Sequence, residues 1–149
     1  MANDAIELQI VTPERHVLQE TVESVEVPGK EGYLGILPGH APLITELGIG
    51  ILSYRKGPQT RFLTVINGYA EVLPHRVIVL ADVAERAEEI DVERTRRARE
   101  RAQSELSRAG AGDEQWQHAE LALQRALVRL QAAAKTGAAG AGEAGHAGS

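Results

Sequence analysis

The chain has 149 residues, 43% of them hydrophobic but only 3% aromatic, so its core must be built mainly from Val, Ile, Leu and Ala. A formal net charge of -5 argues against general nucleic-acid binding, and the absence of cysteine removes disulfides, thiolate metal sites and a cysteine nucleophile. No segment is apolar for long enough to cross a bilayer, and MANDAIELQIV reads as lacking a secretory signal.

Ile6, Leu8 and Ile10 alternate with Glu7 and Gln9, which predicts a first strand that Thr12-Pro13 ends. His16 to Glu20 and Val22 to Val27 read as two further strands, the second closed by Pro28-Gly29. Gly32 to Leu47 follows, with glycines and prolines set among large aliphatic residues. Gly35 and Gly39 permit sharp turning, and Pro38 and Pro42 hold their predecessors extended. Leu34, Ile36 and Leu37, then Leu43, Ile44 and Leu47, are expected as short strand pieces flanking a Pro-Gly turn with His40 at its tip.

Gly50 to Tyr54 and Arg61 to Ile66 predict two more strands separated by Lys56-Gly57-Pro58. Asn67-Gly68 suits a type I′ hairpin turn, so Tyr69 to Leu73 is expected to pair back on Arg61 to Ile66. Val77 to Val83 reads as a mostly apolar strand covered on both faces. Together these predict an antiparallel β-sandwich over residues 1–84.

From Glu85 the pattern becomes helical. Asp91 is a candidate N-cap, and Ala98, Ala102, Leu106 and Ala109 recur at three- and four-residue spacing. Gly110-Ala111-Gly112 stops this helix, and Asp113 can cap a second with the apolar stripe Trp116, Ala119, Leu123, Ala126, Leu127, Leu130 and Ala133. The expectation is an antiparallel two-helix hairpin over residues 85–135 with an alanine-rich, weakly burying seam. The Gly/Ala-rich residues 136–149 read as a disordered tail.

Charge is uneven. Arg94, Arg97 and Arg101 share one helical face, with Arg96 and Arg99 on its flanks. His16, His40 and His75 lack metal-ligand spacing, and no serine sits in a nucleophile-elbow context. No catalytic or metal site is therefore read. Readings from other classes, a metal-dependent β-barrel enzyme and a basic-helix nucleic-acid adaptor, are separated from a structural subunit by metal content and by salt-sensitive nucleic-acid binding.

The run GYLGILPGHAPLIT, with Asn67-Gly68-Tyr69-Ala70-Glu71-Val72 downstream and a charged helical pair at the end, resembles the epsilon subunit of bacterial and chloroplast F-type ATP synthases over roughly residues 5 to 135. The resemblance implies a non-catalytic central-stalk rotor component, peripheral on the cytoplasmic face of the bacterial plasma membrane. Its partners would be the gamma subunit, the membrane rotor ring and, through the hairpin, the alpha and beta subunits of the catalytic head. Glu31, Tyr33 and His40 would meet the rotor ring, and Arg97 and Arg101 the catalytic head. Ile90-Asp91-Val92-Glu93-Arg94 resembles the I/L-D-x-x-R-A motif by which some relatives bind ATP, although Thr95 replaces the final Ala. No cofactor is required on this reading. ATP enters as a regulatory ligand of Asp91, Arg94, Arg125 and Arg129, and an extended hairpin would inhibit ATP hydrolysis.

Overall fold

The computed structural model describes residues 4–108, 110 and 112–146, and it divides into two compact units that meet between Ala87 and Glu88. The first unit holds seven strands: β1 (Ile6–Val11), β2 (His16–Val22), β3 (Ser24–Gly29), β4 (Gly32–Ile36), β5 (Leu43–Lys56), β6 (Gln59–Leu73) and β7 (Arg76–Arg86). They form one hydrogen-bonded sheet in the order β2-β1-β7-β6-β5-β3-β4. Val17, Leu18 and Val22 of β2 share a single core with Val25, Val27 and Ile36 of β3 and β4, although these strands stand at opposite ends of that order. The sheet therefore folds over on itself as a sandwich, and alternate residues such as Ile6, Leu8 and Ile10 fill the space between its layers.

The fold over is made by bending long strands. Asn67-Gly68 does not form a hairpin: both residues lie inside β6, which pairs with β5 from Leu43↔Val72 to Lys56↔Gln59 in one register. Pairing skips Asn67 on both sides, passing from Ile66 to Gly68 against β5 and against β7. Asn67 has φ 54° and Gly68 φ 125°, so the positive φ that the sequence advertises is used to kink a continuous strand. A Cβ on Gly68 would stand 2.0 Å from the Leu80 carbonyl oxygen, which shows how closely β7 crosses the kink.

The hairpin turn falls instead at Gly57-Pro58, between the paired Lys56 and Gln59, with Gly57 at φ 61° as a two-residue loop demands. β4 and the start of β5 flank the Pro-Gly corner as expected but do not pair with each other, because β3 lies between them. The corner is fixed to the β6–β7 turn through the Gly39 N–H, which donates to the Pro74 carbonyl at 2.7 Å.

Three expectations are corrected here. The sandwich is not wholly antiparallel, since β1 pairs parallel with β7 from Glu7↔Arg76 to Val11↔Leu80. β7 is not covered on both faces: Leu80 is 56% exposed because it lies in the outward phase against buried Val77 and Val79. The β unit also outruns residue 84, with β7 continuing to Arg86 before a single 3-10 turn, Ala87–Glu89.

The second unit is a pair of packed helices, α1 (Val92–Arg108) and α2 (Glu114–His146). Its seam is built on small residues, with Thr95, Ala102, Ala119, Ala126 and Ala132 buried, while Leu127 of the expected stripe is exposed. Ala109 and Ala111 lie outside the described residues. Asp113 accepts the Gln117 N–H through its carbonyl, but its carboxylate turns back to accept the Gly110 N–H at 3.1 Å and so closes the interhelical turn. Helix α2 passes residue 135 and runs to His146; residues 147–149 of the expected tail lie outside the described residues.

Candidate functional site

Two sets of residues were expected to carry function, and each belongs to its own unit. In the sandwich, Glu31 occupies the two-residue turn between β3 and β4, opposite the paired Gly29 and Gly32. Lys30 beside it donates to Glu46 at 3.0 Å, and this hydrogen bond, with the Glu46 charge, raises the ammonium pKa above its usual value. Tyr33 stands on β4, an edge strand of the sheet, with its ring largely exposed. His40 lies beyond the far end of β4, in the connection to β5. It is half-buried and its Nδ1 sits 2.7 Å from the Ala41 carbonyl. Glu31 and Tyr33 therefore share the β3–β4 edge, whereas His40 belongs to the corner anchored on Pro74.

A surface that sequence reasoning missed crosses β6, β7 and β1. Tyr69 of β6 is register partner to Leu80 of β7, and Leu80 to Val11 of β1, so three apolar side chains form a row across adjacent strands. Tyr69 and Leu80 are more than half exposed, and Ile44, 67% exposed, lies one row away opposite Glu71. Glu46, paired opposite Tyr69 and held by Lys30, ends the row. The available signal was phase: in Val77 to Leu80 the buried valines alternate with Ile78 and Leu80, which must then face outward.

In the hairpin, the Asp91 carboxylate accepts the Arg94 N–H at 3.1 Å, and its carbonyl accepts both the Thr95 N–H and the Thr95 hydroxyl, the latter at 2.7 Å. Asp91 is thus the N-cap of α1, and Thr95, replacing the motif's alanine, is buried with its hydroxyl returned to the preceding turn. Arg97 and Arg101 are exposed and line a groove of about 520 Å³ with Glu100, Ser104, Glu105 and Arg108. Arg96 is drawn off to Glu93 at 2.8 Å. On α2, Arg125 is exposed and Arg129 half-buried; a hairpin about Gly110–Gly112 sets this stretch alongside the first turns of α1. Among the described residues no three His, Asp or Glu side chains are grouped as a metal ion would need. No described helix is long and apolar enough to span a membrane.

Comparison with known proteins matches both units in order. Residues 5–87 fit the family model for the beta-sandwich domain of the ATP synthase delta/epsilon chain, and residues 88–134 fit that for its long alpha-helix domain. The chain belongs to the ATP synthase epsilon-chain family. It is 49% identical to the ATP synthase epsilon chain of Solibacter usitatus over 132 residues, covering 89% of this chain and 98% of that one. It is 52% identical to that of Koribacter versatilis over 107 residues, or 72% and 75% of the two chains. Among solved structures, a chain of the Euglena gracilis mitochondrial ATP synthase OSCP/F1/c-ring assembly superposes with TM-score 0.75 and 28% identity, over 87% of this chain and 81% of that one. The family boundary at residue 87 coincides with the end of the sandwich unit described above.

Proposed function

We propose that the chain serves as a non-catalytic rotor component in the central stalk of a proton-translocating F-type ATP synthase, peripheral on the cytoplasmic face of a bacterial plasma membrane. The observation that carries this reading is the outward row Tyr69–Leu80–Val11 with nearby Ile44. Clustered large apolar side chains on a folded sheet mark an interaction surface, and in an epsilon-chain architecture the gamma subunit is the partner that fits it. The β3–β4 edge with Glu31 and Tyr33, and the corner carrying His40, would rest on the membrane rotor ring. Torque would then pass between proton flow and the catalytic head through the sandwich.

The hairpin supplies regulation in this account. A seam of Thr95, Ala102, Ala119, Ala126 and Ala132 removes little apolar area from water, and at about 25 cal/mol per Å² it stabilises the folded-down pair weakly. The helices can then leave one another and set Arg97 and Arg101 against acidic segments of the beta subunits, restraining ATP hydrolysis. ATP would oppose that release by bridging Asp91 and Arg94 to Arg125 and Arg129. The test is reconstitution: the full chain added to a synthase depleted of its epsilon subunit restores coupling between proton flow and ATP synthesis. Failure to bind the depleted complex overturns the proposal.

A further inference from the structure

β5 keeps an unbroken register with β6 but not with β3. Ser24, Val25 and Glu26 pair with Arg55, Tyr54 and Ser53, and the next partnership is Gly29 with Leu47. Val27 and Pro28 therefore stand against the whole run from Gly48 to Leu52, and β5 bulges away from its neighbour there. A bulge leaves backbone groups without ladder partners, and a buried N–H without a partner is costly.

At this bulge the Ile51 N–H donates to the Tyr33 hydroxyl at 3.0 Å. Tyr33 is the register partner of Pro28, so its side chain reaches β5 across the proline. Gly50 makes room for it: a Cβ there would lie 2.7 Å from the Tyr33 hydroxyl oxygen and 2.5 Å from the Pro28 Cβ. The tyrosine on edge strand β4 thus replaces a lost strand hydrogen bond two strands away, and ties the edge to the interior while the residue as a whole stays 57% exposed.

We infer that Tyr33 is a positioning residue, whose hydroxyl on the Ile51 amide holds β4 and the corner that follows it in the geometry the rotor ring meets. The edge that carries Tyr33 faces the rotor, and what coupling needs from Tyr33 is then its hydroxyl on Ile51 and not its aromatic face. The consequence for coupling rests on the ring-facing reading proposed above, whereas the hydrogen bond does not.

The experiment compares Tyr33→Phe and Tyr33→Ala in the full chain, by amide hydrogen exchange at Ile51 and by proton pumping per ATP hydrolysed in the reconstituted synthase. The expected result is Ile51 exchange about fivefold faster in both variants, and a pumping ratio that falls as far in Tyr33→Phe as in Tyr33→Ala. Wild-type Ile51 exchange in Tyr33→Phe, or a pumping ratio lost only in Tyr33→Ala, overturns the inference. Faster Ile51 exchange with unchanged pumping in both variants leaves the hydroxyl bridge in place and removes the ring-facing reading instead.

Discussion

The carboxylate of Asp91 accepts the backbone N–H of Arg94 at 3.1 Å, so the acid of the nucleotide-like motif is already engaged in starting helix α1. Asp91→Ala should lower the stability of the helical unit by about 1 kcal/mol, whereas Asp91→Asn keeps a capping oxygen and should hold it nearly unchanged. Thermal unfolding followed at a helical wavelength checks both. Equal losses in the two variants would show that the carboxylate charge matters and not the cap.

At the kink of β6, Gly68 combines a φ of 125° with a Cβ position 2.8 Å from the Ala81 Cα. Gly68→Ala should therefore destabilise the sandwich by about 2 kcal/mol or more, through backbone strain and through pushing β7 away. The readout is the denaturation midpoint, and an unchanged midpoint would contradict the close crossing of β7 over the kink.

Thr64 is fully buried, and among the described residues its hydroxyl meets no hydrogen-bond partner. Valine has the same shape without the polar oxygen, so Thr64→Val should stabilise the sandwich by about 1 kcal/mol. A loss of stability in chemical denaturation would mean that the hydroxyl has a partner after all.

Burial first, then the charge of Glu20 and a hydrogen bond to it, push the Tyr54 phenol up to about 12 from its ordinary 10.0. The fold favours the neutral phenol, so its contribution is fully present below pH 10 and is lost as pH rises towards 12. Melting temperatures measured across that window should fall more steeply for the native chain than for Tyr54→Phe. Parallel curves would contradict the assignment.

Much of this architecture was legible because local chemistry and tertiary context agree. The alternation of Ile6, Leu8 and Ile10 produced a strand, Gly57-Pro58 a tight turn, and Asp91 a helix cap. The failures share a cause, dependence on partners distant in sequence, except at Leu80, where the signal was local. Asn67-Gly68 carries the φ preference of a hairpin, and only the pairing of β6 with both β5 and β7 converts it into a bend. The parallel pairing of β1 with β7 is invisible to any local pattern. Leu80 looked like core in an apolar run, and only its phase against Val77 and Val79 turns it outward. Tyr33 was read as a contact residue from its place in a motif, while its hydroxyl bond to Ile51 depends on a bulge that no local pattern near Tyr33 announces.

The central claim is that the outward face of the sandwich grips a rotor partner, and co-purification of the full chain with the gamma subunit tests it most directly. The native chain should be retained in stoichiometric amount, and the doubly substituted Tyr69→Asp, Leu80→Asp chain should be lost while remaining folded. Equal retention of the two chains, or no retention of the native one, would contradict the account.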